Sequence, residues 1–183
     1  MKDLSLHILD IVQNAIKAKA TVIEISIKDV NNSTLDVDII DNGSGIEPDM
    51  LKNIADPYTT SRTTRKVGLG IPLFKQNAER TGGHLTITSE VGKGTELTAQ
   101  FHQDNIDCLP LGDVSGVVAL LVNANPTIDF KYTHTVDNNT YIFNTVEVKE
   151  VLGDTPINST EVHLFIKEMI KENIEELYNN KLT

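Results

Sequence analysis

The hydrophobic period changes once within the first forty residues, and that change limits the fold more than any other feature. Leu4, Ile8, Ile11 and Ala15 recur at helical spacing, with Leu6, Val12 and Ile16 widening the stripe. This predicts a helix of about four turns. Period two follows at once: Ile23, Ile25 and Ile27 face one way across Val22–Lys28, and Glu24, Ser26 and Lys28 face the other. That is the pattern of a half-buried strand. After the turn signal Asn31-Asn32-Ser33, the alternation resumes with Leu35, Val37 and Ile39 inward and Asp36 and Asp38 outward. Asp41-Asn42-Gly43-Ser44-Gly45 ends the second strand abruptly.

Further along, Pro48–Ala55 fits a short helix. Residues 56–66 have no period and are rich in Thr, Ser, Arg and Lys, as in a mobile loop. Gly68-Leu69-Gly70 opens a helical stretch through Thr81, closed by Gly82-Gly83. Leu85–Ser89 and Glu96–Phe101 alternate around Val91-Gly92-Lys93-Gly94, a hairpin signal. Val114–Asn123 reads as a buried helix. Phe130–Val136 and Tyr141–Val146 read as a second hairpin around Asp137-Asn138-Asn139. Ser159 or Thr160 caps a final helix to about Tyr178, with Val162, Phe165, Ile166, Met169, Ile170 and Leu177 on its apolar side.

Charge divides the chain unevenly. The net charge of −10 splits into −2 over residues 1–103 and −8 over 104–183. Such a surface repels phosphate backbones and anionic lipid, which argues against nucleic acid and membrane as partners. Asp10, Gln13 and Asn14 interrupt the first apolar stretch, so it does not read as a signal peptide. The longest purely apolar run, Val117–Val122, is too short to span a bilayer. The single cysteine, Cys108, has no intrachain disulfide partner, and a reducing, cytoplasmic compartment is expected.

Four local features follow in order between Asp10 and Thr95. Asp10 and Asn14 lie four residues apart and project from one face of the first helix, at its apolar stripe. They form either a site or the polar edge of an amphipathic helix. Asp41 through Gly45 gives a carboxylate at a strand end, able to accept from an exocyclic amine, beside glycines that let backbone approach a ligand. The same run is also an ordinary Asx-type turn. Thr60, Arg62, Arg65 and Lys66 lead to Gly68-Leu69-Gly70 at a helix start, where free N–H groups suit phosphates. Read blandly, this is a solvated loop. Gly92-Lys93-Gly94-Thr95 alone is a hairpin.

Together these four resemble the nucleotide-binding boxes of the GHKL ATPases, the superfamily of gyrase, ninety-kilodalton chaperones, histidine kinases and mismatch-repair ATPases. The resemblance covers about residues 4–102. It implies a two-layer α/β sandwich of Bergerat type, an α+β fold with a mixed sheet backed by helices. Residues 1–103 would form the ATP-binding domain. Residues 104–183 would form a small C-terminal α+β module, packed on that domain or extending its sheet.

By resemblance, Asn14 matches the asparagine that ligates the Mg²⁺ bridging the ATP phosphates. Asp10 stands where hydrolytic members place a glutamate, the general base. Lys17 matches a basic residue near the phosphates. Asp41 matches the aspartate that accepts adenine's amino group, Gly43 and Gly45 bring backbone close to the nucleotide, and Thr95 lies near the adenine. Gly68, Leu69 and Gly70 would cradle phosphates, and Thr60 and Arg62 belong to the lid expected over residues 56–67. The sequence departs from the pattern in two places. Lys66 stands where kinase-type members have a further glycine, and Asp10 is one methylene shorter than glutamate, which shortens its reach to a water.

None of His7, His84, His102, His134 and His163 fits a phosphoacceptor box. No dimerisation helix pair is expected before the first box, and eighty residues are too few for the usual transducer domain. His7 is placed to orient Asp10, to meet a phosphate, or simply to close a polar boundary. The expected function is that of a Mg²⁺·ATP-binding regulatory protein: an ATPase or protein kinase acting with a partner, a phosphoacceptor or a regulated factor. A catalytically silent ATP-dependent binding switch is the alternative, and a homodimer is compatible with either.

Overall fold

The computed structural model describes residues 2–54 and 70–180. The loop read over residues 56–66 and the lid over 56–67 lie outside them. Elements follow in the order α1 (Leu4–Lys17), β1 (Val22–Val30), β2 (Thr34–Asp41), α2 (Pro48–Ile54), α3 (Gly70–Arg80), β3 (His84–Glu90), β4 (Gly94–His102), α4 (Val114–Ala124), β5 (Asp129–Val136), β6 (Asn139–Asn144), α5 (Thr145–Leu152) and α6 (Thr160–Asn180). The Asp3 carboxylate caps α1, accepting from the Leu6 N–H at 3.0 Å.

Six strands form one mixed sheet in the order β3-β4-β2-β1-β5-β6. β1 pairs antiparallel with β2, Ile25 opposite Ile39, and parallel with β5, Ile25 opposite Tyr132. The other pairs are antiparallel. Period two decides the faces. Ile23, Ile25 and Ile27 of β1, Val37 and Ile39 of β2, Leu97, Ala99 and Phe101 of β4, and Phe130 and Tyr132 of β5 are buried. They join one core with apolar residues of α1, α3, α4 and α6. This is the α+β architecture that the sequence implies, a mixed sheet backed by helices.

The C-terminal half is built into that core. β5 enters beside β1, and the chain leaving β4 binds the start of α1 through Leu4 N–H to Pro110 O at 2.9 Å and Ser5 N–H to Leu111 O at 2.8 Å. A buried polar chain fastens the last helix. The Tyr132 hydroxyl meets His134 Nδ1 at 2.6 Å, His134 Nε2 lies 3.3 Å from the Tyr178 hydroxyl, and Tyr178 donates to Asp29 Oδ2 at 3.2 Å.

Two expectations need correction. The second hairpin ends at Asn144. Thr145 and Val146 belong to α5, because the Asn144 side chain caps a helix there by accepting from the Val146 N–H at 2.9 Å. Phe165 does not face the core. It is 65% exposed on α6, while Val162, Ile166, Ile170 and Leu177 carry the buried stripe.

Candidate functional site

A cavity of about 740 Å³ opens where α1, α2, the ends of β2 and β4, and the loop after β2 meet. Its walls include Asn14 and Lys17 of α1, Asp41 at the end of β2, Gly45 in the loop, and Thr95 of β4. Ile11, Ile39, Met50, Ile71 and Leu97 supply its apolar surface. A mostly apolar pocket with a few convergent polar groups is the usual form of a small-molecule site.

Each polar wall has a local cause. Asn14 and Lys17 project from the last turn of α1. Beyond it, the helix is ended by Lys19 in the left-handed region at φ 60°. Asn14 Nδ2 is buried without a hydrogen-bond partner among the described residues. Asp41 ends β2 in register with Thr95. The Asx turn is present: the Gly43 N–H donates to Asp41 Oδ1 at 2.8 Å. Burial pushes the Asp41 carboxyl above its ordinary value, against the opposing effect of N–H donors at Gly43 and Thr95. Gly45 sits at φ 70°, and any side chain there would collide with the Glu90 carbonyl.

Three loops are held together around Asp41. Ser44 N–H donates to Ala18 O at 2.9 Å, and Gly92 N–H donates to Ser44 O at 2.8 Å. Asn42 Oδ1 accepts from the Thr21 and Val22 N–H groups, both at 2.9 Å. The Ser89 hydroxyl accepts from Ile46 N–H at 2.8 Å and stands 2.9 Å from both the Gly94 carbonyl and the Thr95 hydroxyl. Neither Asn42 nor Ser89 was singled out from sequence as a site residue. Asn42 lies inside the turn motif, but Ser89 has only its strand alternation.

The remaining expected residues are placed as follows. Gly43 is buried directly behind Asp41, with the Ala18 carbonyl 2.8 Å from where a Cβ would stand. Asp10 lies one turn before Asn14, is half-buried, and is not on the cavity wall. Its carboxylate abuts Gly70, so closely that a Cβ on Gly70 would overlap it. It therefore stands at the start of α3, where a negative charge is favoured by the helix dipole. Thr60, Arg62, Gly68 and Leu69 lie outside the described residues. His7 is buried, stacks on Phe74 at 5.5 Å, and has Nε2 2.9 Å from Asn77 Nδ2. Burial lowers its pKa, so it serves the α1–α3 contact as a neutral ring.

The family described as histidine kinase-, DNA gyrase B-, and HSP90-like ATPase matches residues 2–105. The chain belongs to this family. Membership implies ATP binding, in a domain type found in histidine kinases. Sporulation kinase D of Bacillus subtilis (strain 168) is 40% identical over 62 residues, which is 34% of this chain and 12% of that protein. The chain spans less than a third of the length of the curated relatives cited, 12% of this one and 32% of the sensor protein BceS of Halalkalibacterium halodurans. Among solved structures, the N-terminal domain of a DNA repair protein matches with a TM-score of 0.59 at 16% identity, over 86% of this chain and 59% of that one. At such identity the likeness is one of fold. No helix among the described residues is long and apolar enough to cross a membrane.

Proposed function

We propose that this chain binds Mg²⁺·ATP in the cavity and acts with a partner protein as a cytoplasmic regulatory ATPase or protein kinase. The observation that supports this most is the convergence of Asn14, Lys17, Asp41, Gly45 and Thr95 on one apolar-floored cavity. Asp41 would accept the base's amino group, and Gly45 would admit backbone to the nucleotide. Lys17 would lie near the phosphates. Mg²⁺ retains several waters and takes few protein ligands besides phosphate oxygens, so one amide oxygen on a cavity wall fits it. Asn14 would be that ligand through Oδ1, and its buried, unpartnered Nδ2 would be left to donate to a phosphate oxygen. The ion would supply charge neutralisation between phosphates. Asp10 would position a water or a partner's hydroxyl.

Calorimetric titration of ATP with and without Mg²⁺ tests the reading. Asn14→Ala is expected to remove the Mg²⁺-dependent part of the affinity and leave the rest. Retention of that part would unseat Asn14, and no ATP binding at all would refute the reading. A second reading, an ATP-dependent binding switch without chemistry, is favoured by the position of Asp10 against the start of α3 and off the cavity wall.

A further inference from the structure

Asp41 of β2, Thr95 of β4 and Ser89 of β3 form a cross-strand row, since Thr95 is the register partner of both other residues. All three occupy the helix-covered side of the sheet, in phase with Ile39, Leu97 and Ile87. The hydrogen atoms in this row can be assigned by counting. A serine hydroxyl has one hydrogen and two acceptor lone pairs. The Ile46 N–H, 2.8 Å away, takes one lone pair of Ser89. The Gly94 carbonyl, 2.9 Å away, can only accept, so it takes the single Ser89 hydrogen. Thr95 Oγ1 also lies 2.9 Å from Ser89, and only a lone pair remains to meet it. The Thr95 hydrogen therefore points at Ser89. What Thr95 can offer the cavity is lone pairs, beside a carboxylate that is acceptor-only when ionised.

We infer that Ser89 is a positioning residue that makes the Asp41–Thr95 end of the cavity acceptor-only, so that it selects a purine with a six-amino group over one with a six-keto group. The inference rests on the cavity being a nucleotide site. An exocyclic amine brings hydrogens to both acceptors. A keto oxygen brings a third acceptor against the remaining lone pairs of Asp41 and Thr95 with no hydrogen between them, and facing acceptors that lack a hydrogen are what make such discrimination large. Without Ser89, the Thr95 hydroxyl is free to turn and donate to a keto oxygen.

The test measures ATP and GTP affinity by calorimetry, with no turnover required. Ser89→Ala is expected to lower the ATP-over-GTP affinity ratio about tenfold. Ser89→Thr keeps the hydroxyl and should keep the ratio. Thr95→Val should lower the ratio on its own, and adding Ser89→Ala to it should lower it no further, because Ser89 acts through Thr95. If Ser89 merely braced the loop, Ser89→Ala would weaken both nucleotides alike. A ratio unchanged in Ser89→Ala, or in Thr95→Val should the first variant fail to fold, overturns the inference while leaving ATP binding intact. A wild-type protein that binds neither nucleotide overturns the nucleotide reading itself, and this inference with it.

Discussion

Asp41 carries opposed demands on one carboxylate. Its burial disfavours the ionised form, and its folded-state pKa is raised in consequence. The ionised group therefore costs stability above that raised pKa, and the cost disappears as pH falls below the ordinary value of 3.8. The ionised form is the stronger acceptor for an amine, so ATP affinity should weaken on acidification, starting at a higher pH than an ordinary carboxylate would give. Asp41→Asn separates the two demands. It should leave the unliganded melting temperature at pH 7 unchanged or higher, while ATP affinity falls by about tenfold or more. Wild-type affinity in that variant would remove Asp41 from the base-binding role. Asp10→Asn addresses the chemistry. A loss of ATP turnover with binding retained is expected if Asp10 positions the attacking group, and unchanged turnover would leave it only its place at the start of α3. Asp41 and Thr95 stood out in the sequence only through the order of the four local features and the family they resemble, since each glycine-rich turn alone reads as an ordinary turn. Ser89 did not, because its partners lie on two other segments and meet it only through strand register.

At the scale of elements, the strands were read correctly wherever alternation met burial. α5 escaped because Val146, Val148 and Glu147 alternate like a strand, while the residue that decides the matter is the cap, Asn144. Phe165 misled for a related reason. An apolar residue beside a buried stripe need not be covered, and Ile166 already fills the core position. The last helix has an acid-sensitive fastening that periodicity cannot show. His134 is fully buried among Tyr132, Tyr178 and the Asp29 carboxylate, and burial lowers its pKa to about 4, against the partly opposing effect of Asp29. A histidine depressed from 6.5 to about 4 stays neutral in the folded state, while the unfolded chain takes up a proton. Stability should therefore fall as pH drops through 6.5 toward 4, by about 2 kcal/mol between pH 7 and pH 5 from this residue. Urea unfolding at the two pH values measures it. His134→Gln should flatten the dependence without abolishing it, since buried His7 shifts in the same direction. An equally steep dependence in His134→Gln would show that the ring is not the acid-sensitive group.

On the scale of the whole molecule, the family match and the fold match have different extents. The family covers residues 2–105, whereas the solved DNA-repair domain covers 86% of the chain. In the structure, β1 joins the two stretches. Its antiparallel partner β2 follows directly, but its parallel partner β5 comes from beyond residue 105. Parallel pairs need a crossover, and here the crossover includes α4, whose Val114, Val118, Leu121 and Val122 are buried in the same core as Leu4, Ile8 and Ile25. No local pattern announces a pairing between segments about a hundred residues apart, which is why the sequence left residues 104–183 as a separate module, packed on the first or extending its sheet. We expect that neither part folds alone. A fragment of residues 1–105 would expose one edge of β1 and the apolar surface under α4, and should lack a cooperative melt and bind ATP weakly. Residues 104–183 alone would present Phe130 and Tyr132 to water and should remain unfolded by circular dichroism. A 1–105 fragment that melts cooperatively and binds ATP with the affinity of the full chain would make the C-terminal half an accessory to the nucleotide site. Failure of both fragments would make the six-stranded sheet the unit that folds, with Tyr178 and His134 holding its last helix to the Asp29 end of the central strand.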